Sequence, residues 1–138
     1  MGPLPPPAED FKRFSQRDLD QIIAKHDAYL KGRRGGARAV IKFGDLSDLS
    51  LVGKDLSQAD FTGSNFARCN FSGGKFQGTC FFSCDLRQAD LTNAILSRAD
   101  FRGAHLAGAN LSGANLDAAD LREGKIMERG EAGMLVNK

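Results

Sequence analysis

The sequence predicts an all-β solenoid, and three regularities carry that expectation. Every fifth residue from Leu46 is Leu or Phe: Leu46, Leu51, Leu56, Phe61, Phe66, Phe71, Phe76, Phe81, Leu86, Leu91, Leu96, Phe101, Leu106, Leu111, Leu116 and Leu121. Sixteen positions in a row are thus drawn from two residue types that together make up only 25 of the 138 residues. Two positions before each, from Ala59 onward, stands a small residue: Ala59, Ser64, Cys69, Gly74, Thr79, Cys84, Ala89, Ala94, Ala99, Ala104, Ala109, Ala114 and Ala119. Between the two, nine of the thirteen repeats carry Asp or Asn, and Gly, Ser, Thr, Gln or Arg fill most of the remaining places.

A period of five suits neither ordinary element. On an α-helix five residues advance by about 500°, which spreads successive large side chains around the cylinder. On a flat strand an odd period sends them to alternate faces. A chain that turns a corner every five residues resolves the conflict, because each large side chain then points to a common axis with a small one beside it. Repetition of this kind is the mark of a solenoid.

The run from Ala59-Asp60-Phe61-Thr62-Gly63 to Ala119-Asp120-Leu121-Arg122-Glu123 resembles the pentapeptide-repeat family, whose pattern is A(D/N)LXX. The resemblance covers about residues 43–126. It implies a right-handed quadrilateral β-helix in which four repeats make one square coil, the large residue and the small one two before it pointing inward. Residues 41–126 number 86, a little over four coils of 20. Residues 20 apart then stack: Phe61, Phe81, Phe101 and Leu121 in one inner column, Phe66 over Leu86, Phe71 over Leu91, Phe76 over Leu96. The thirteen large residues from Phe61 to Leu121 are the expected core.

The segments outside the repeat are read separately. Residues 1–14, opening on Met1-Gly2-Pro3-Leu4-Pro5-Pro6-Pro7, are expected to be disordered. Residues 15–32 read as an amphipathic helix, with Ser15 and Asp18 as an N-terminal cap, Gly32 as a stop, and Leu19, Ile22, Ile23, His26 and Leu30 at helical spacing. A solenoid with an uncovered first coil exposes strand edges and an apolar cross-section, so this helix is expected to cap the N-terminal end. Leu49 and Lys54 occupy inward slots otherwise held by small residues, which predicts a distorted first coil where the helix docks. Residues 33–40 read as a basic connector and 127–138 as a tail that breaks the pattern.

Composition narrows function. Nineteen basic and 17 acidic residues give a net charge of +2, and residues 41–126 carry ten acids against nine bases. That balance argues against both a strongly basic phosphate binder and an acidic nucleic-acid mimic. The family's best-known activity, protection of type II topoisomerases by DNA-mimicking members, is therefore disfavoured, and nucleic acid is not an expected partner. No apolar run approaches a membrane span and the opening lacks a signal peptide's apolar core, so the expected location is cytoplasmic.

The inventory for chemistry is thin. Cys69, Cys80 and Cys84 lack the CxxC spacing of a zinc or redox site; Cys69 and Cys84 read as inert filler and Cys80 as outward. His26 reads as packed and His105 as surface variation in an Asp/Asn slot. No catalytic residue, cofactor or metal site is expected. The informative departures are apolar residues in outward positions: Phe82, Ile95 and Val52. Arg102 and Arg122 follow Phe82 at spacings of 20, allowing a guanidinium to stack on its ring. Cys80, Phe82, Ile95, Arg102 and Arg122 are thus the candidate protein-contact residues. The expectation is a non-enzymatic interaction scaffold, monomeric or dimerised end to end, with an adapter module of a longer signalling protein as the alternative.

Overall fold

Backbone hydrogen bonding in the computed structural model, which describes residues 11–123, follows a 20-residue register. Parallel bridges join Val40 to Asp60, Cys80, Asp100 and Asp120 in one ladder, Asp45 to Asn65, Asp85 and His105 in a second, Ser50 to Asn70, Asp90 and Asn110 in a third, and Asp55 to Lys75, Ile95 and Asn115 in a fourth. Four ladders with a 20-residue return make a coil of four flat sides. Each repeat meets its neighbour in the same way: Leu46 N–H donates to Asn65 C=O at 2.8 Å, Asn65 N–H to Gly44 C=O at 2.8 Å, and the corner amide of Asp48 to Ala67 C=O at 3.0 Å.

The corners explain the two polar positions of the repeat. From Phe43 to Glu123 every fifth residue has φ between 55° and 76°, and from Lys54 to Ala119 the amide after it donates back to the large residue, as Ser64 N–H does to Phe61 C=O at 3.1 Å. Positive φ at the third residue with this bond is the type II turn, which favours Gly there. Gly63 and Gly113 meet that demand directly, while Arg98 and Ala118 adopt the left-handed conformation at some cost. The Asp or Asn that precedes most of the large residues stabilises the approach to the corner. Its Oδ1 accepts the amide two residues on, from Thr62 to Asp60 at 3.1 Å, from Ser72 to Asn70 at 2.9 Å and from Asp117 to Asn115 at 2.9 Å. The carboxylate or amide oxygen reaches this N–H as an Asx turn, and Ser50 Oγ does the same more loosely for Val52 N–H at 3.4 Å.

Inside, Phe61, Phe66, Phe71 and Phe76 fill one complete coil, Phe81 opens the next, and all five are fully buried. Adjacent ring centroids lie 5.0 Å apart for Phe61–Phe66, 5.3 Å for Phe66–Phe71 and 5.2 Å for Phe71–Phe76, with tilted or edge-on geometry. Phe81 stacks on Phe101 at 5.1 Å with 6° between planes. Tilted and offset contacts suit the ring quadrupole and add to area burial. Leu86, Leu91, Leu96 and Leu106 are buried above this aromatic layer, whereas Leu111, Leu116 and Leu121 are only half-buried in the last described coil. The small inward residues do more than leave room. Ser64 Oγ donates to Ile41 C=O at 2.9 Å, Cys69 Sγ to Leu46 C=O at 2.8 Å, Thr79 Oγ1 to Leu56 C=O at 2.8 Å and Cys84 Sγ to Phe61 C=O at 2.9 Å.

At the N-terminal end, strand β1 (Lys12–Arg13) pairs in parallel with β2 (Gly44–Asp45), and helix α1 (Gln16–Leu30) follows. Ser15 and Asp18 form a reciprocal capping box, Asp18 N–H donating to Ser15 Oγ at 3.0 Å and Ser15 N–H to Asp18 Oδ2 at 2.9 Å. Leu19, Ile23 and His26 are buried and Ile22 and Leu30 half-buried.

Four expectations are corrected. Residues 11–14 are ordered, because the open edge at Gly44–Asp45 offers unpaired backbone groups to Lys12–Arg13. The connector ends before residue 40, since Val40 already belongs to the first ladder. The first coil is regular, not distorted: Ile41, Leu46, Leu51 and Leu56 all keep the register of later coils. Leu49 is buried, but Lys54 is exposed; no preceding coil confines its side chain, so it escapes outward. Residues 124–126 of the expected repeat and the 127–138 tail lie outside the described residues.

Phe81 touches Phe61, Phe66, Phe71, Phe76 and Phe101. Phe81→Ala is expected to cost about 3 to 5 kcal/mol in chemical denaturation. Ser97→Ala, outside the aromatic layer, is expected to cost under about 0.5 kcal/mol.

Candidate functional site

The ladder Val40–Asp60–Cys80–Asp100–Asp120 defines one flat side, and the residues two places after its rungs, Lys42, Thr62, Phe82, Arg102 and Arg122, line up along it. Phe82 is held outward because its neighbour Phe81 is buried. The Arg102 guanidinium carbon lies 5.2 Å from the Phe82 ring centroid. Its orientation is set by Asp100, whose two carboxylate oxygens each accept from it at 2.9 Å. Arg122 repeats the arrangement on Asp120 at 2.9 and 2.7 Å. A bidentate pair fixes the plane of the guanidinium, so a ring, a flat cation and its carboxylate form one polar-edged platform. Cys80 is half-buried, its Sγ 3.4 Å from Thr62 Oγ1.

Ile95 does not belong to this side. It stands between Lys75 and Asn115 in the adjacent ladder, a quarter turn away, so the five candidate contact residues divide between two faces.

Two residues that sequence reasoning passed over extend the first face. Val40 is 49% exposed at the start of its ladder, and Phe43, at the following corner, is 52% exposed. Gly63 lacks the Cβ that would clash with the Phe43 ring in the next coil, and Phe11 packs edge-on against the same ring at 6.2 Å. With Phe82, 39% exposed, three of the five exposed large hydrophobics among the described residues lie along this face or its corner; Tyr29 and Val52 are the others. The signal was present in the sequence, since Val40 stands two coils before Cys80 and Phe43 two coils before Ser83, the residue after Phe82, but the connector boundary hid it.

The electrostatics of the rod are those of paired surface charge. Asp85 is nearly buried; desolvation raises its carboxyl, yet hydrogen bonds from the Arg87 side chain and amide win and hold it below the usual range. Arg87 Nη2 sits 2.6 Å from Asp85 Oδ2. The Arg122 side chain and amide bring Asp120 down to about 2. Burial pushes the Cys69 thiol up to about 12 and the Cys84 thiol well above its ordinary value, so both stay protonated and donate to carbonyls. Nucleophilic chemistry needs the thiolate, which neither supplies. His105 is half-buried next to Asp85 in its ladder. Among the described residues no group of three His, Cys, Asp or Glu is placed to hold a metal ion.

The model of pentapeptide repeats matches this chain in eight copies over residues 45–78 and 84–122. The chain belongs to the pentapeptide-repeat family. A pentapeptide repeat protein from the Arabidopsis thaliana thylakoid lumen is 38% identical over 59% of this chain and 57% of its own, with a TM-score of 0.58. HetL, described as involved in heterocyst differentiation regulation in the cyanobacterium Nostoc sp. strain PCC 7120, is 28% identical over 65% of this chain and 48% of its own, with a TM-score of 0.44. A further Nostoc PCC 7120 pentapeptide repeat protein is 31% identical over 75% of this chain and 73% of its own, with a TM-score of 0.39. The match thus spans only about half to three fifths of the first two proteins. Comparison with curated proteins by sequence gave no match. Membership carries with it the right-handed quadrilateral β-helix, in agreement with the four ladders and the 20-residue return.

Asp60, Asp85, Asp90 and Asp120 all lie below their ordinary range in the folded chain. Depressed folded values add stability above the unfolded range near about 4, and that stability is lost as the pH falls through the folded values. The melting temperature of the rod is expected to drop steeply between about pH 4 and pH 2. In Asp85→Asn, which keeps an acceptor for the Arg87 amide but loses the ion pair, the drop is expected to be shallower.

Proposed function

We propose that this pentapeptide-repeat rod is a non-enzymatic scaffold that binds a protein partner through the face bearing Val40, Phe43, Phe82 and Arg102. The observation that carries this reading is the alignment of three exposed large hydrophobics on one flat side, two of them aromatic. Apolar groups with a polar edge are the composition of protein contact sites, and aromatic and Arg residues supply most of the binding energy in such sites. The Asp100 and Asp120 carboxylates offset the Arg charges, which favours a protein surface over a polyanion.

The helix α1 serves in this reading as the N-terminal cap. Support comes from the edge groups of the first coil that the N-terminal segment occupies: Phe14 N–H donates to Asp45 C=O at 3.0 Å, Arg13 Nη1 to Ser47 C=O at 2.8 Å, and Gln16 brackets Ser50 by donating to its C=O and accepting its N–H, both at 2.8 Å. A covered edge cannot template strand pairing with another chain. No helix among the described residues is long and apolar enough to cross a membrane.

Capture experiments with the purified chain as bait test the scaffold reading. Phe82→Glu is expected to reduce recovery of a bound partner at least tenfold, whereas Gln77→Glu on a different face leaves it intact. Equal loss or equal retention by the two variants would sink the assignment of this face. Deleting residues 1–36 tests the cap: concentration-dependent association in sedimentation is expected, and a monomeric truncated rod with an unchanged melting temperature would remove the capping role.

A further inference from the structure

We infer that His26 is a proton-sensitive latch that holds helix α1 on the first coil and releases it on mild acidification. This rests on the capping reading above and adds to it a condition under which the cap lets go.

The imidazole is fully buried and both ring nitrogens are committed to backbone. Ala39 N–H donates to Nδ1 at 2.9 Å, and Nε2 lies 2.8 Å from Ser57 C=O. These partners leave the ring no choice of state. An amide N–H only donates, so Nδ1 must be the bare nitrogen; a carbonyl only accepts, so Nε2 must carry the hydrogen. The docked helix therefore accommodates the neutral ring with hydrogen on Nε2. Adding a proton places it on Nδ1, facing the Ala39 N–H, and two donors then oppose each other across a contact from which water is excluded.

The carboxylates nearest the ring have other partners. On its own helix the neighbours are Lys25, Asp27 and Tyr29, whose ring centroid is 5.5 Å away; Asp27 is engaged by Lys31 at 3.0 Å. On the connector, Arg38 adjoins Ala39 and donates to Gln58 C=O at 2.7 Å. On the coil, the Asp55 carboxylate accepts from Ser57 N–H at 3.0 Å. Among the described residues no carboxylate hydrogen-bonds the imidazole. A buried cation without a partner is strongly disfavoured, whereas an undocked helix exposes the ring to water, where it takes up a proton freely.

The sign follows from proton counting. The docked geometry accepts only the neutral ring, so any proton taken up belongs to the undocked form, and docking is favoured as pH rises and weakened as pH falls. One proton corresponds to about a tenfold change in the docking equilibrium per pH unit. Release frees Ser57 C=O and Ala39 N–H and uncovers the corner that α1 shields. The consequence is a first coil that becomes available to a new strand or partner in acidic surroundings and is closed at neutral pH.

Amide hydrogen exchange by NMR on the full chain, with protection factors corrected for the intrinsic pH dependence of exchange, tests this between pH 8 and pH 5. Protection of Ala39 and of residues 20–30 is expected to fall at least tenfold, while Phe81 and Leu86 in the middle coils stay protected. His105→Asn, which removes the only other histidine, is expected to leave that dependence in place. His26→Gln, neutral throughout, is expected to abolish it. Constant protection in the unmodified chain, or a dependence that persists in His26→Gln, would overturn the latch. Should His26→Gln fail to dock at any pH, the ring nitrogen shifts of the unmodified chain decide: a ring that gains its proton while Ala39 stays protected excludes the proposal. The truncation of residues 1–36 separates the two readings, because association of the truncated rod with no pH dependence in the full chain leaves the cap standing and the latch refuted.

Discussion

The backbone hydrogen bonds between coils join residues 19 or 21 apart, and the rest of the molecule answers to that register. The return length of 20 is kept only if every corner turns after five residues. Positive φ at each corner and an Asp or Asn acceptor before most of them are the local means of doing so. The interior is then a set of columns whose spacing the backbone has already fixed, and Phe or Leu is chosen to fill it. The stacked pair Phe81–Phe101 and the tilted ring contacts around Phe81 show how tightly the aromatic coil occupies its section. Packing and pairing thus support each other, which is the condition for a unique repeat structure.

The first coil lacks a predecessor, and its unpaired edge is the problem that the N-terminal segment meets with three kinds of group. A two-residue strand supplies backbone at Gly44–Asp45, the Gln16 amide imitates a peptide group at Ser50, and the His26 ring does the same between Ser57 and Ala39. Gln and neutral His both present a donor and an acceptor on one planar group, so each can stand in for a peptide unit. Of the two, only His can change its number of donors within the physiological pH range.

Most of the solenoid was legible because a five-residue period admits few other solutions. The inner columns, the outward placement of Phe82 and its contact with Arg102 all follow from adding 20 to a residue number. The capping box at Ser15 and Asp18 was equally plain, being local in sequence. What escaped depends on contacts between distant segments or on the ends. Lys12 and Arg13 carry no strand pattern; they are ordered by the edge they meet. Lys54 breaks the small-residue rule without consequence, because the first coil has room outside it. Ile95 and Phe82 looked alike as outward apolar residues, yet the register sends them to different sides. Cys69 and Cys84 read as space-fillers, whereas each donates its thiol hydrogen to a carbonyl of the previous coil.

The fixed return also governs which changes of length the chain can absorb. Inserting one five-residue unit between Phe43 and Phe82 would preserve every corner and every inward side chain, yet rotate all that follows by a quarter turn. Val40 and Phe43 would then look one way and Phe82 with Arg102 another. A stable rod would survive with its surface patch split in two. Only an insertion or deletion of a whole coil restores the alignment, and it does so at the cost of a new spacing along the axis, about 4.8 Å greater or smaller. The fold therefore tolerates duplication in fives, while any surface that spans several coils can be inherited intact only in twenties.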